Sequence, residues 1–219
     1  INGNVYTRGN REDYNTWAQF GNKGWGYADV LPYFKRCEQR VGEGDDTYRG
    51  RDGGMTVETI PYRHPLCDAF IQGAAEIGIP HNPDYNGAKQ EGISYVQRHV
   101  NGRRRVSTAR AYLHPAKSRP NLTVVTNAFA TKILLEGKKA VGIAYTKGGK
   151  GGTPQEVRAS REVILSGGVI NSPQLLQLSG IGPGGLLQDL GIPVMHELAG
   201  VGENLRDHYA PRFVVRVKN

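Results

Sequence analysis

Residues Gly168 to Gly182, reading G-V-I-N-S-P-Q-L-L-Q-L-S-G-I-G, constrain the fold of this chain more than any other stretch. Ser172-Pro173 is a helix-start signal, because a serine caps free N–H groups and a proline at the first helical position needs no donor. Leu175, Leu176 and Leu178 supply an apolar face, and Ser179-Gly180-Ile181-Gly182 ends the helix abruptly. Upstream, Val163-Ile164-Leu165 has the pattern of a short buried strand running into Ser166-Gly167-Gly168. A strand, a glycine turn and a helix start place backbone amides where they can face a phosphate or a flat cofactor.

The rest of the chain alternates helical and extended patterns, so the expected class is mixed α/β. Residues 1–20 read as irregular. Residues 28–40 read as an amphipathic helix with Val30, Leu31, Phe34 and Cys37 on one side, Asp29 in its first turn and Arg36 and Arg40 in its last. A loop over 42–54 leads to a strand at Met55–Ile60. Pro65 opens a second helix that presents Leu66, Ala69, Phe70, Gly73, Ala74 and Ile77 on one face and stops at Gly78 and Pro80. Asn82-Pro83-Asp84 and Asn86-Gly87 mark turns, and Ser107 caps a helix ending before Pro115. From Asn121 the pattern becomes β: Leu122–Thr126, Thr131–Leu135, Val141–Tyr145 and Gln155–Arg158, with a hairpin turn at Glu136-Gly137-Lys138-Lys139.

Composition excludes several classes. With 38% hydrophobic and 22% charged residues, the chain is neither disordered nor membrane-spanning, since no apolar run approaches the ~18 residues a span requires. Its 30 glycines favour tight turns and close backbone approaches. Cys37 and Cys67 are read as isolated thiols packed as small hydrophobes, with no metal-binding cluster nearby. The net charge of +8 includes Arg103-Arg104-Arg105 beside Arg98, His99 and Arg110. No aromatic ladder interleaves these arginines, so nucleic acid is not the expected partner. Solvation, or attraction of an anionic cofactor or redox partner, explains the charge better.

The Gly168–Gly182 segment resembles the second signature of the glucose-methanol-choline (GMC) family of flavin-dependent oxidoreductases, with Val169 departing from the smaller residue usual there. Ile1-Asn2-Gly3-Asn4-Val5-Tyr6, followed by Arg8-Gly9-Asn10-Arg11-Glu12-Asp13-Tyr14 and Trp17, is similar to the tail of that family's first signature. Gly24-Trp25-Gly26 through Phe34, Asn101-Gly102-Arg103 through Leu113, and Gly200 through His208 agree in the same order. The resemblance spans essentially the whole chain, which begins inside a signature and reads as the central fragment of such a protein.

The resemblance implies part of a glutathione-reductase-type FAD domain, at 1–40 and 120–219, and part of a substrate domain at 41–119. It implies non-covalent FAD, because Ile1 stands where some relatives carry a flavin-linked histidine. Asn2, Gly3, Asn4 and Val5 would run past the flavin ring, their N–H groups stabilising electron-rich reduced flavin. Asn-Gly is otherwise a plain turn signal. Ala130 would meet the adenine ring through its main chain, or be an ordinary strand residue. Ser166 and Gly167 would lie bare against the cofactor, or form an ordinary strand-to-helix turn. Asn204 and Asp207 fall in a stretch close to the cofactor, and His208 reads as a hydrogen-bonded structural residue.

No catalytic residue and no metal ligand is assigned. The family's proton-abstracting histidine lies in a His-Pro motif far downstream, and His64-Pro65 and His114-Pro115 stand in the wrong context. Gly180-x-Gly182-x-x-Gly185 follows a helix rather than a strand, so it fails as a dinucleotide fingerprint. The implied activity is oxidation of a primary alcohol, aliphatic or choline, to the aldehyde by hydride transfer to flavin N5. The electron acceptor stays open. The expected location is cytoplasmic, or peripheral to a membrane through that acceptor, with no integral membrane segment. The alternatives are an FAD-containing lyase, a basic non-enzymatic binding module, and a nicotinamide dehydrogenase built on the 180–185 glycines.

Overall fold

The computed structural model describes residues 3–211 together with Val214 and Arg216. It divides into two compact units, Ile1–Leu122 and Thr123–Asn219.

The first unit opens with a helix the sequence reading passed over. Helix α1, Arg11–Gln19, is capped by Asn10, whose side chain accepts from Glu12 N at 2.9 Å, and Glu12 and Asp13 occupy its positive end. Helix α2, Tyr27–Cys37, is shorter than expected at its C-terminal end. The chain straightens at once into β1, Glu38–Arg40, so Arg40 is a buried strand residue and not a helix-terminal charge. The reason is local: β1 pairs in parallel with β2, Met55–Thr59, and its alternate residues Glu38 and Arg40 turn inward. Strand β3, Gln97–Arg98, completes an order β1-β2-β3 by antiparallel pairing with β2.

Helix α3, Pro65–Glu76, starts where proline predicts, with the His64 ring as cap, yet of its expected apolar face only Ala74 is buried. The hairpin β4, Val100–Asn101, and β5, Arg104–Arg105, turns through Gly102 and Arg103, both at positive φ. A π-helical turn over Ala109–Leu113 runs into α4, His114–Ala116, so the helix passes through Pro115 instead of ending before it. Ser107 Oγ still accepts from Arg110 N, at 3.3 Å. Cys37 and Cys67 are free thiols, but both are exposed rather than packed.

The second unit is built on a three-stranded antiparallel meander of β6, Ala128–Glu136, β7, Lys139–Lys147, and β8, Thr153–Arg158. Its order β6-β7-β8 makes β6 an edge. The expected strand at Leu122–Thr126 does not form, and neither does the expected buried strand at Val163–Leu165, where Ile164 is exposed. Helix α5, Gly168–Leu178, begins four residues before Ser172, which puts Pro173 inside the helix. Ser172 therefore caps nothing in the expected sense; its Oγ accepts from Gly167 N at 2.9 Å and closes the glycine turn. Strand β9, Ile181–Gly182, helix α6, Gly184–Asp189, and strand β10, His196–Glu197, form a miniature parallel crossover. Leu187 is fully buried within it.

Candidate functional site

The second unit brings together three of the residues singled out by sequence. A cavity of about 340 Å³ is lined by Ala128, Phe129 and Ala130 on one side and by Ser166, Gly167 and α5 on the other. Ile143 of the central strand β7 lines it too, so the cavity reaches over the sheet face as well as along the free edge of the meander. That edge belongs to β6, whose outer peptide groups have no strand partner among the described residues. Their N–H and C=O groups are therefore the recognition chemistry on offer, as in other cases of binding along a free sheet edge.

The opposite wall is bare for a steric reason. A Cβ built on Gly167 would stand 3.2 Å from Asn171 Cβ and 3.3 Å from Ser172 N, so any larger residue would have to push these neighbours back by a few tenths of an ångström. Gly168 follows at φ +89°, a conformation that glycine alone adopts without strain. Asn171 and Gln174 add side-chain amides to the lining, and Leu175 and Leu178 give it an apolar floor.

Asn204 and Asp207 of the same unit are not among the residues that line this cavity. Asn204 adopts a positive φ of 57° and is exposed; Asp207 is exposed and accepts from His208 N at 2.7 Å. Asn2 lies outside the described residues, as does Ile1. Gly3 to Val5 belong to the first unit: Gly3 is exposed with no atom within 4 Å of a built Cβ, Asn4 sits at φ 66°, and Val5 bridges to Arg98. No cluster of three metal-ligating side chains occurs among the described residues. The Gly180–Gly185 run contains β9 and the start of a six-residue helix, preceded by α5, so no strand leads into its first glycine.

The first unit holds a polar centre that sequence reasoning missed. Glu38 is 1% exposed and is held from both sides by the guanidinium groups of Arg8 and Arg49, and Arg49 also pairs with Asp84. Gln97, fully buried, accepts from Arg49 Nη1 and Asn86 Nδ2, both at 2.9 Å, and donates to Asp84 Oδ1 at 3.0 Å. Asn86 in turn accepts from Arg8 N at 2.7 Å. Burial opposes the Arg49 charge, but Glu38 and then Asp84 outweigh it and hold that guanidinium above its ordinary pKa. Among the described residues no carboxylate is bonded to Arg40; burial and then the nearby Arg49 charge push it down. Burial likewise raises the Tyr6 phenol. Apart from Asp84 Oδ2, which is buried without a partner among the described residues, the centre's donors and acceptors named here are directed at one another, which is the wiring of a structural core. The only sequence signal for it was a set of arginines and acids in glycine-rich loops, a composition shared with solvated surface.

The GMC oxidoreductase family profile matches residues 1–210. An oxygen-dependent choline dehydrogenase of Sinorhizobium fredii is 48% identical over 208 residues, covering 95% of this chain and 37% of that protein. The mitochondrial choline dehydrogenase of Mus musculus is also 48% identical over 208 residues, covering 95% of this chain and 34% of that protein. Among solved structures, an FAD-dependent oxidoreductase from Chaetomium thermophilum has a TM-score of 0.84 at 34% identity, over 91% of this chain and 36% of that one. Pyridoxine 4-oxidase from Mesorbium loti gives 0.81 at 30% identity, over 90% of this chain and 38% of that one. The chain thus spans little more than a third of the length of these relatives.

Proposed function

Since the chain belongs to the GMC oxidoreductase family, we propose that it is part of an FAD-dependent oxidoreductase that converts an alcohol to a carbonyl compound. A primary alcohol is the favoured substrate class, with choline as the named possibility that the similar choline dehydrogenases support. FAD, when bound, supplies the hydride acceptor. What this chain contributes is binding and orientation.

The observation that carries the reading is the convergence of Ala130, Ser166 and Gly167 on one cavity in the second unit. The cavity suits the adenine half of FAD. Its lining includes Leu165, Leu175 and Leu178, and it runs along β6, whose free edge offers main-chain donors and acceptors; these suit the flat face and polar rim of a purine. Ser166 and Gly167 keep bulk away from the cofactor, and Asn171 and Gln174 stand by as further polar partners. Residues 1–40 and 120–219 are assigned to the FAD domain and 41–119 to the substrate domain. Asn2, Gly3, Asn4 and Val5 are assigned to the flavin end, and Asn204 and Asp207 to its surroundings, on family resemblance alone. No residue of this chain is assigned the proton-abstracting role, and non-covalent FAD remains the reading at Ile1.

The test is the absorbance spectrum of the intact polypeptide that carries this sequence. Oxidised-flavin bands that survive gentle purification, are released by acid denaturation and bleach on anaerobic addition of a primary alcohol are expected. A colourless protein that refuses added FAD refutes the cofactor assignment. Flavin bands that no alcohol bleaches refute the redox assignment and favour a non-redox, lyase-like relative.

A further inference from the structure

We propose that Ser179 is a positioning residue that sets the spacing between the two walls of the cofactor cavity; this rests on the FAD reading above. One wall is β6 and the other is α5 with the Ser166-Gly167 turn, and the two are separate elements joined through a long stretch of chain. Ser179 stands where α5 ends and is 1% exposed. Its hydroxyl oxygen accepts from Ile133 N of β6 at 2.8 Å, and the same hydroxyl donates to Leu175 O of α5 at 2.6 Å. Leu175 itself lines the cavity. A single hydroxyl therefore bonds both walls at once.

The β6 end of this link is where a link is most needed. Ile133 is buried, and its N–H points away from β7, so without Ser179 it would be a buried orphan donor. Between Ala130 and Lys132 the β6–β7 pairing slips register, so the ladder to β7 does not by itself dictate the course of the cavity-lining residues Ala128 to Ala130. The Ser179 bond fixes β6 immediately beyond that slip. At the other end, the bond to Leu175 is the ordinary back-bonding of a helix-terminal serine, and it orients the oxygen lone pair toward the strand. Gln177 reinforces the same helix end by donating to Val201 O at 3.0 Å.

The test uses apoprotein of the intact polypeptide, titrated with FAD by flavin fluorescence and with ADP as a competitor that carries only the adenine end. Ser179→Ala is expected to weaken FAD and ADP by the same factor, about ten-fold or about 1.4 kcal/mol, with far-UV circular dichroism unchanged at the assay temperature. Ser179→Thr, which keeps the hydroxyl, is expected to stay within about three-fold of wild type. If Ser179→Ala does not accumulate as folded protein, Ser179→Cys replaces it, preserving the volume while offering only a weak acceptor.

Unchanged FAD affinity in the hydroxyl-lacking variant overturns the proposal. So does a loss for FAD without a loss for ADP, or an equal loss in Ser179→Thr. Wild-type apoprotein that binds neither ligand overturns the FAD reading itself, and this proposal with it.

Discussion

Replacing Glu38 by Gln should unfold the first unit more readily than any exposed substitution in it. Glu38 accepts from Arg8 Nη2, from Arg49 Nη2 and from Arg49 Nε at 3.0 Å, with Gly50 N at 3.4 Å. The amide that replaces it has no negative charge, and its NH₂ end faces guanidinium donors, so at least one contact becomes donor against donor. Arg8, Arg40 and Arg49 would then be buried together with Asp84 as the remaining carboxylate bonded within the cluster. Removing one partner of a buried pair costs about 3–5 kcal/mol, against about 0–1 kcal/mol for an exposed pair such as Arg51–Asp46. With a urea slope of ~2 kcal/mol/M, Glu38→Gln should lower the midpoint by about 2 M, and Asp46→Asn by less than about 0.5 M. The assay is urea unfolding followed by tryptophan fluorescence, because Trp17 and Trp25 are the only two tryptophans in the chain and both lie in the first unit. If the two substitutions shift the midpoint equally, water reaches Glu38 and the reasoning is wrong.

Two further outcomes follow from other sites. Gly142→Ala should destabilise the meander by about 1–3 kcal/mol, because the new Cβ would stand 2.3 Å from Val157 O across the β7–β8 ladder; thermal unfolding by circular dichroism checks it. The Tyr112 phenol, desolvated and then set beside Cys37, is raised to about 12, so ultraviolet difference titration of wild type against Tyr112→Phe should assign to it a step well above 10, apart from those of Tyr6, Tyr14, Tyr85 and Tyr95, which are raised as well. A folded-state value above the ordinary phenol value of 10.0 means that its contribution to stability is complete below pH 10 and is lost as pH rises towards 12; Tyr112→Phe should remove that part of the pH dependence.

The legible parts of this chain were those governed by local rules. Pro65 starts α3, and the Gly137-Lys138 turn joins β6 to β7. Ser166 and Gly167, the small residues just before the signature segment, line one cavity with Ala130. The missed parts depended on partners distant in sequence or on competing local options. Asn10 was an available cap for α1, but the polar face that follows it lacks an apolar stripe to announce a helix. Ser172-Pro173 obeyed the capping pattern and was overruled by a glycine turn that starts α5 earlier. Val163–Leu165 has the composition of a strand, but composition does not supply a neighbour to pair with. The Glu38 centre was invisible because burial of charge depends on where Arg8, Arg49 and Asp84 meet, and spacing along the chain does not encode that meeting.

The bonds that hold residues 5 to 8 have a consequence for biosynthesis. Val5 bridges to Arg98, Tyr6 N donates to Gln97 O at 2.7 Å, and Arg8 N reaches Asn86. A ribosome working at ~5–20 residues per second needs roughly 5–20 s to travel from the first of these residues to the last. Throughout that interval Val5 and Tyr6 lack the partners Arg98 and Gln97, although Glu38 and Asn86, which bond Arg8, are made before it ends. The last of the bonds holding residues 5 to 8 can form only when the polypeptide near residue 98 arrives.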